Sequence, residues 1–216
     1  MNRDIVDLIT ERVKEELLKE YLIPVEVSAR HVHLSQEHVE ELFGHGYELT
    51  KKKELSQPGQ YQCEERVMLI GPRGIISGVA VLGPPRRKTQ VEITRTDSHT
   101  LGIDLPVRDS GDLERSGTVF IASPNAMVKG EESVIIAKRH IHMKNKDAEH
   151  LKVHDGQQVS VRIHGQRPLV FEDVLVRVSD SYSLSMHIDF DEANASGYTD
   201  GTVCSICRSF GEGCMK

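Results

Sequence analysis

The stretch "SARHVHLS", from Ser28, returns in altered form as "AKRHIHMK", from Ala137, and this repetition limits the fold more than any other feature of the chain. His140 and His142 lie 109 residues after His31 and His33. Each pair follows an apolar run and a basic residue, Arg30 or Arg139, and each precedes a short stretch of helical character, "SQEHVEELFGHG" or "NKDAEHLKVHDG". Use of one β-rich unit twice explains the match. In the first helical stretch Ser35 suits an N-cap, Val39, Leu42 and Phe43 form an apolar stripe, and Gly44 or Gly46 can end the helix.

Between these landmarks the chain consists of short β-rich runs punctuated by Gly and Pro, such as "VMLIGPRGIISGVAVLGPP" and "LVFEDVLVRVS". Runs of this length with turn residues between them indicate small barrels or sandwiches. We therefore expect a mainly β fold with short helices: two related small β-barrel domains from an internal duplication. The loop "SPNAMVKGEE" marks the boundary, with the first barrel over residues 23–128 and the second over 129–203. Residues 1–22 and 204–216 flank them as an N-terminal amphipathic helix and a cysteine-containing tail. In the helix Ile5, Ile9, Val13 and Leu17 recur every four residues, a stripe that suits either packing on the chain's own domain or docking elsewhere.

On a strand alternate side chains share a face, so His31 and His33 present both imidazoles to one side of Val32, and His140 and His142 do so around Ile141. Neutral imidazoles at that spacing can share a zinc ion or a similar first-row metal. Further ligands should come from strands of the same kind. In "TQVEITRTD" Val91 and Ile93 alternate with Gln90, Glu92 and Thr94, which makes Glu92 a candidate third ligand. In "LSMHIDF" Leu184, Met186, Ile188 and Phe190 take one face, leaving His187 on the other as a fifth imidazole. The remaining histidines have no matched partners and read as structural or solvent-facing. Arg86, Arg87 and Lys88 concentrate charge just before the Glu92 strand, and the planar fork of Arg86 or Arg87 suits a phosphoryl group.

The ordered set "SARHVHLS", "TQVEITR", "AKRHIHM" and "DEANA", spanning residues 23–197, resembles the PduL-type phosphate propanoyltransferases, the phosphotransacylases of bacterial microcompartments. The resemblance implies two small β-barrels with a dinuclear zinc site between them, and interconversion of acyl-CoA plus phosphate with acyl phosphate plus coenzyme A. By it, His31, His33 and Glu92 hold the zinc that meets the CoA sulfur, and His140, His142 and His187 hold a second, more hydrated zinc. Arg86 binds phosphate and acts in catalysis, while Ser110 and Asn194 are substrate contacts. The N-terminal helix is similar in length and stripe to helices that direct family members to shell or core proteins of the microcompartment lumen.

A formal net charge of −6 argues against a nucleic-acid partner, and no apolar run long enough to cross a bilayer is present. No signal peptide opens the chain, so a cytoplasmic location is expected, with a homo-oligomer left open. Cys204, Cys207 and Cys214 offer three thiols where a closed structural zinc site needs four ligands, so the tail reads as reduced. No Ser or Cys stands beside a dedicated base, which favours direct phosphate attack over an acyl-enzyme. The rival readings are a zinc-dependent hydrolase, a cupin-like oxygenase, and a non-enzymatic metal-binding microcompartment module. The Arg86 cluster favours the acyltransferase, because a hydrolase needs no second anion site.

Overall fold

The computed structural model describes residues 22–207. The chain opens with β1 (Ile23–Val27), β2 (His31–Ser35) and α1 (Gln36–Phe43), followed by β3 (Lys51–Glu54), β4 (Tyr61–Ile70), β5 (Ile75–Arg86) and β6 (Gln90–Glu92). It continues through α2 (Arg95–Leu101), β7 (Val107–Arg108), β8 (Gly117–Ala122) and β9 (Met127–Ala137). The remainder comprises β10 (His140–Met143), α3 (Asn145–Leu151), β11 (Gln158–His164), β12 (Leu169–Val178), β13 (Ser185–Ile188), α4 (Phe190–Ser196) and β14 (Val203–Ile206). Among the described residues no helix is long and apolar enough to cross a membrane. The expected N-terminal helix and Cys214 lie outside the described residues.

Strand pairing closes two six-stranded barrels. The first runs β4–β5–β2–β6–β9–β8 and back to β4. The second runs β11–β12–β10–β13–β1–β14 and back to β11. Read in these orders the barrels match strand for strand, parallel pairs on parallel and antiparallel on antiparallel. Closure removes the open edges that would otherwise invite association.

The pairing also revises the expected boundaries. Residue 128 falls inside β9, and β9 belongs whole to the first barrel, while β1 pairs with β13 and β14 of the second. Each copy of the repeat thus lends its leading strand to the other barrel. Local patterning marks a segment as strand but says nothing about its distant partner. The tail boundary moves as well, since Cys204 sits in β14, buried in the second core with its Sγ 3.5 Å from Met186 Sδ.

Alternation builds each core. Val32, Leu34, Val67, Val79, Val81 and Val91 fill the first barrel, and Ile141, Met143, Val161, Val174, Val176 and Met186 the second. Each such side chain contributes about 1.5–3 kcal/mol through burial. The imidazoles between them therefore point out of their own barrel. α1 has the expected cap, with Ser35 Oγ accepting from His38 N at 3.2 Å and Gly44 ending the helix. Phe190 departs from expectation: β13 ends at Ile188, and Phe190 begins α4 with an exposed ring.

The two short helices α2 and α4 are equivalent in detail. Each opens on a capping box, Thr94 with Asp97 or Asp189 with Glu192, and each closes on a left-handed glycine, Gly102 at φ 73° or Gly197 at φ 64°. They also meet across the barrels, where Thr96 N donates to Asp191 Oδ2 at 2.9 Å.

Candidate metal and anion site

Register assembles the candidate ligands. In the first barrel His31 lies opposite Glu92 on the β2–β6 ladder, and in the second His140 lies opposite His187 on the β10–β13 ladder. His33 and His142, two residues on, share those outward faces. The result is two groups, His31–His33–Glu92 and His140–His142–His187, in each of which the candidate ligand atoms lie within 4.8 Å of one another. Both groups line one cavity of about 580 Å³ to which both barrels contribute.

The protonation chemistry suits a metal. His31 Nδ1 donates to Ala29 O at 2.7 Å and His140 Nδ1 to Lys138 O at 2.8 Å, so each leading imidazole turns a free Nε2 to its group. The second imidazole of each pair leaves its Nδ1 buried with no partner, at His33 and at His142. A buried polar nitrogen without a partner is costly, and at His142 coordination would satisfy it; His33 accepts from Arg86 at Nε2, so its Nδ1 carries the proton and Nε2 is the atom a metal would take. Burial is the main cause that lowers the pKa of His33 and His142 to about 3 and of His140 and His187 to about 4; neighbouring imidazoles add to it at His33, His140 and His142, and Arg86 or Arg177 contributes at all four. All four are held neutral, as metal ligands must be. Burial would raise the Glu92 carboxyl, but His31, His33, the Ser110 hydroxyl and Arg86 outweigh it and hold the pKa at about 2. The residues fit two first-row cations, one in a group with a carboxylate and one in a group of imidazoles alone.

Of the three consecutive cations, the structure brings only Arg86 to the cavity; Arg87 and Lys88 are exposed. Arg86 Nη2 donates to His33 Nε2 at 2.8 Å and Nη1 to Ser110 Oγ at 3.3 Å. Ser110 in turn donates to Glu92 Oε1 at 2.9 Å, joining the anion-binding candidate to the first ligand group. Asn194 is exposed on α4 and is not among the residues that line the cavity.

Three participants escaped the sequence reading. Gln90 donates to Ser110 Oγ at 2.8 Å and to Glu92 Oε1 at 2.5 Å. Gln57, on the β3–β4 loop of the first barrel, donates to Ser185 Oγ at 3.0 Å and Ser183 O at 3.2 Å in the second. Arg177 lies opposite His142 on the β10–β12 ladder, lines the cavity, and its charge helps to depress the three imidazoles of the second group. Arg177 had a usable signal, because buried Val174 and Val176 leave it on the outward face of β12, the face type that carries the ligands.

Comparison with known proteins points to one family. A family model described as phosphate propanoyltransferase matches residues 24–199. A phosphate propanoyltransferase of Clostridioides difficile (strain 630) is 52% identical over 205 residues, covering 95% of this chain and 98% of the relative. Proteins of the same name from Thermotoga maritima and Listeria monocytogenes are 52% and 49% identical, each over at least 94% of this chain and 98% of their own length. A match that runs through both barrels and both ligand groups covers the whole site, and on it the chain belongs to the phosphate propanoyltransferase family.

Proposed function

We propose that the chain moves a short acyl group, propanoyl or acetyl, between the thiol of coenzyme A and inorganic phosphate, with phosphate attacking the thioester directly. The observation that carries this reading is the placement of the Arg86 guanidinium in the same cavity as two three-ligand groups. A phosphate oxygen bonds to the acyl carbon as the carbon–sulfur bond breaks, and the proton of hydrogen phosphate ends on the CoA thiol. The reverse reaction uses the same groups.

His31, His33 and Glu92 would hold one zinc ion and His140, His142 and His187 a second. Such ions supply Lewis acidity, which favours a thiolate leaving group and a polarised carbonyl. The chain's own contribution is positioning. Arg86, steadied by Ser110 and released from His33 when a metal takes that imidazole, has donors to offer an anion, and a planar fork fixes phosphate in direction as well as charge. Ser110 and Gln90 fix the Glu92 carboxylate while Arg177 adds positive potential from the second barrel. A hydrolase would need no such concentration of guanidinium groups beside its metal ligands.

The N-terminal helix at residues 2–21 would dock the enzyme to microcompartment shell or core proteins, a reading that rests on its apolar stripe. The deciding experiment pairs elemental analysis with thiol release from acetyl-CoA and propanoyl-CoA, with and without phosphate. Two zinc ions per chain and phosphate-dependent release support the reading; release that ignores phosphate makes the protein a hydrolase.

A further inference from the structure

The basic residue ahead of each His pair has no place in the ligand groups, yet both copies are wired alike. Arg30 reaches Asp97 at 3.2 Å, and Arg139 Nη1 reaches Glu192 Oε1 at 2.8 Å. Asp97 and Glu192 are the N3 residues of the two capping boxes. In each box the other carboxylate oxygen accepts the backbone N–H of the N-cap residue, Thr94 at 3.3 Å or Asp189 at 3.1 Å. Each N-cap lies two residues beyond the third ligand, Glu92 or His187.

We propose that Arg30 and Arg139 are positioning residues, each clasping the turn ahead of its His pair to the helix cap behind its third ligand. The inference rests on the two-metal reading above. Each group draws its ligands from two strands, and register alone leaves their ends free to splay. The clasp joins those ends. It also steadies the turn that presents Ala29 O or Lys138 O to the leading imidazole, and so fixes which nitrogen faces the group. Arg139 binds further, through donation to Glu172 O at 3.0 and 2.8 Å and by lying 5.1 Å from the Phe171 ring centroid. Asp97 is the more enclosed acid, with 5% of its side chain exposed against 19% for Glu192. Two copies of the same wiring, at positions that otherwise differ in sequence, argue against chance ion pairing at a surface.

The test separates positioning from general stability. Glu192→Gln keeps an oxygen for the Asp189 N–H but replaces the one that receives Arg139 with an amide NH2, and Asp97→Asn does the same in the first unit. Zinc affinity is measured by competition with a chromophoric chelator, in a His31→Ala/His33→Ala background that retains only the second group and in the converse His140→Ala/His142→Ala background. Outer-shell losses of this kind weaken metal binding about ten- to a hundredfold, so Glu192→Gln should do so in the first background and Asp97→Asn in the second, each with less than about a twofold effect in the other. If a carboxamide variant is insoluble, Arg139→Gln and Arg30→Gln leave the capping boxes whole and carry the same comparison. Equal weakening of both groups by either variant, or a lower melting temperature with unchanged affinities, overturns the proposal. An unsubstituted chain that takes up no zinc would instead overturn the metal reading beneath it.

Discussion

His140 stands directly across the β10–β13 ladder from His187, their rings 5.1 Å apart and tilted by only 23°, with His142 4.6 Å from the first and 4.9 Å from the second. Strand register makes this triangle. A slip of one residue would turn Ile141 outward and both imidazoles into the core, so the second group can exist in one pairing only.

Replacing both His140 and His142 by alanine should therefore remove one of two zinc equivalents and abolish turnover, while the first group keeps its ion. Elemental analysis of the purified variant checks this. Retention of both equivalents would refute the assignment.

Arg86→Ala should retain both metals and lose phosphate-dependent turnover by about ten- to a hundredfold, the worth of a charge-assisted hydrogen bond of roughly 1.5–3 kcal/mol. Arg86→Lys should recover part of that at most, because an ammonium lacks the two-pronged fork. Initial rates against phosphate concentration at saturating acyl-CoA give the answer, with zinc measured in parallel. An unaltered phosphate dependence in Arg86→Ala would remove it from the mechanism.

The metal-stripped protein should lose stability as pH falls from about 6.5 towards 4. His33, His140, His142 and His187 are depressed to about 3 or 4 in the fold, so over that window the unfolded chain takes up protons that the folded chain refuses. Each contributes up to about 1.4 kcal/mol per pH unit, fully present above the unfolded pKa and lost towards the folded one. Burial raises Asp189 to about 6 and opposes the trend between its ordinary pKa and that value, whereas His164, also lowered by burial, adds to it. Urea midpoints of chelator-treated protein at several pH values measure the slope; a midpoint that rises on acidification would contradict it.

Gln57→Ala should destabilise the fold by about 1–3 kcal/mol, since it strands Ser183 N–H and C=O, both bound by the Gln57 amide, at the junction of the barrels. Urea unfolding measures the loss. A neutral result would show that water replaces the amide without cost.

Deletion of residues 1–20 should leave specific activity near the full-length value and change attachment to a shell. Co-sedimentation with shell proteins and a thiol-release assay read the two effects. Loss of folded protein would assign this segment to the enzyme's own packing.

The two side-chain groups were legible because strand alternation is a local rule. Val32, Ile141, Val91 and Met186 occupy their barrel cores, and that fixes the opposite face for the histidines and Glu92 between them. α2 and α4 carry too few residues to show helical periodicity, although "TRTD" and "DFDE" do spell capping boxes. Gln57 had no such signal: a loop glutamine gains its role only from where the second barrel lies. Asn194 differs again: a family motif names it, and strand register says nothing of it because it lies on α4 rather than on a strand.

The exchange of β1 and β9 bears on how such a chain could arise. A polypeptide carrying one repeat would have five staves and two raw edges, and could seal its barrel only with the leading strand of a second copy. That object is a two-fold dimer with traded arms, its cavity on the symmetry axis and its two ligand sets identical by construction. Tandem fusion of the gene lifts that identity. Glu92 and His187 occupy matching places, and only in a fused chain can one become a carboxylate while the other stays an imidazole, giving the two groups unequal charge environments within a single cavity.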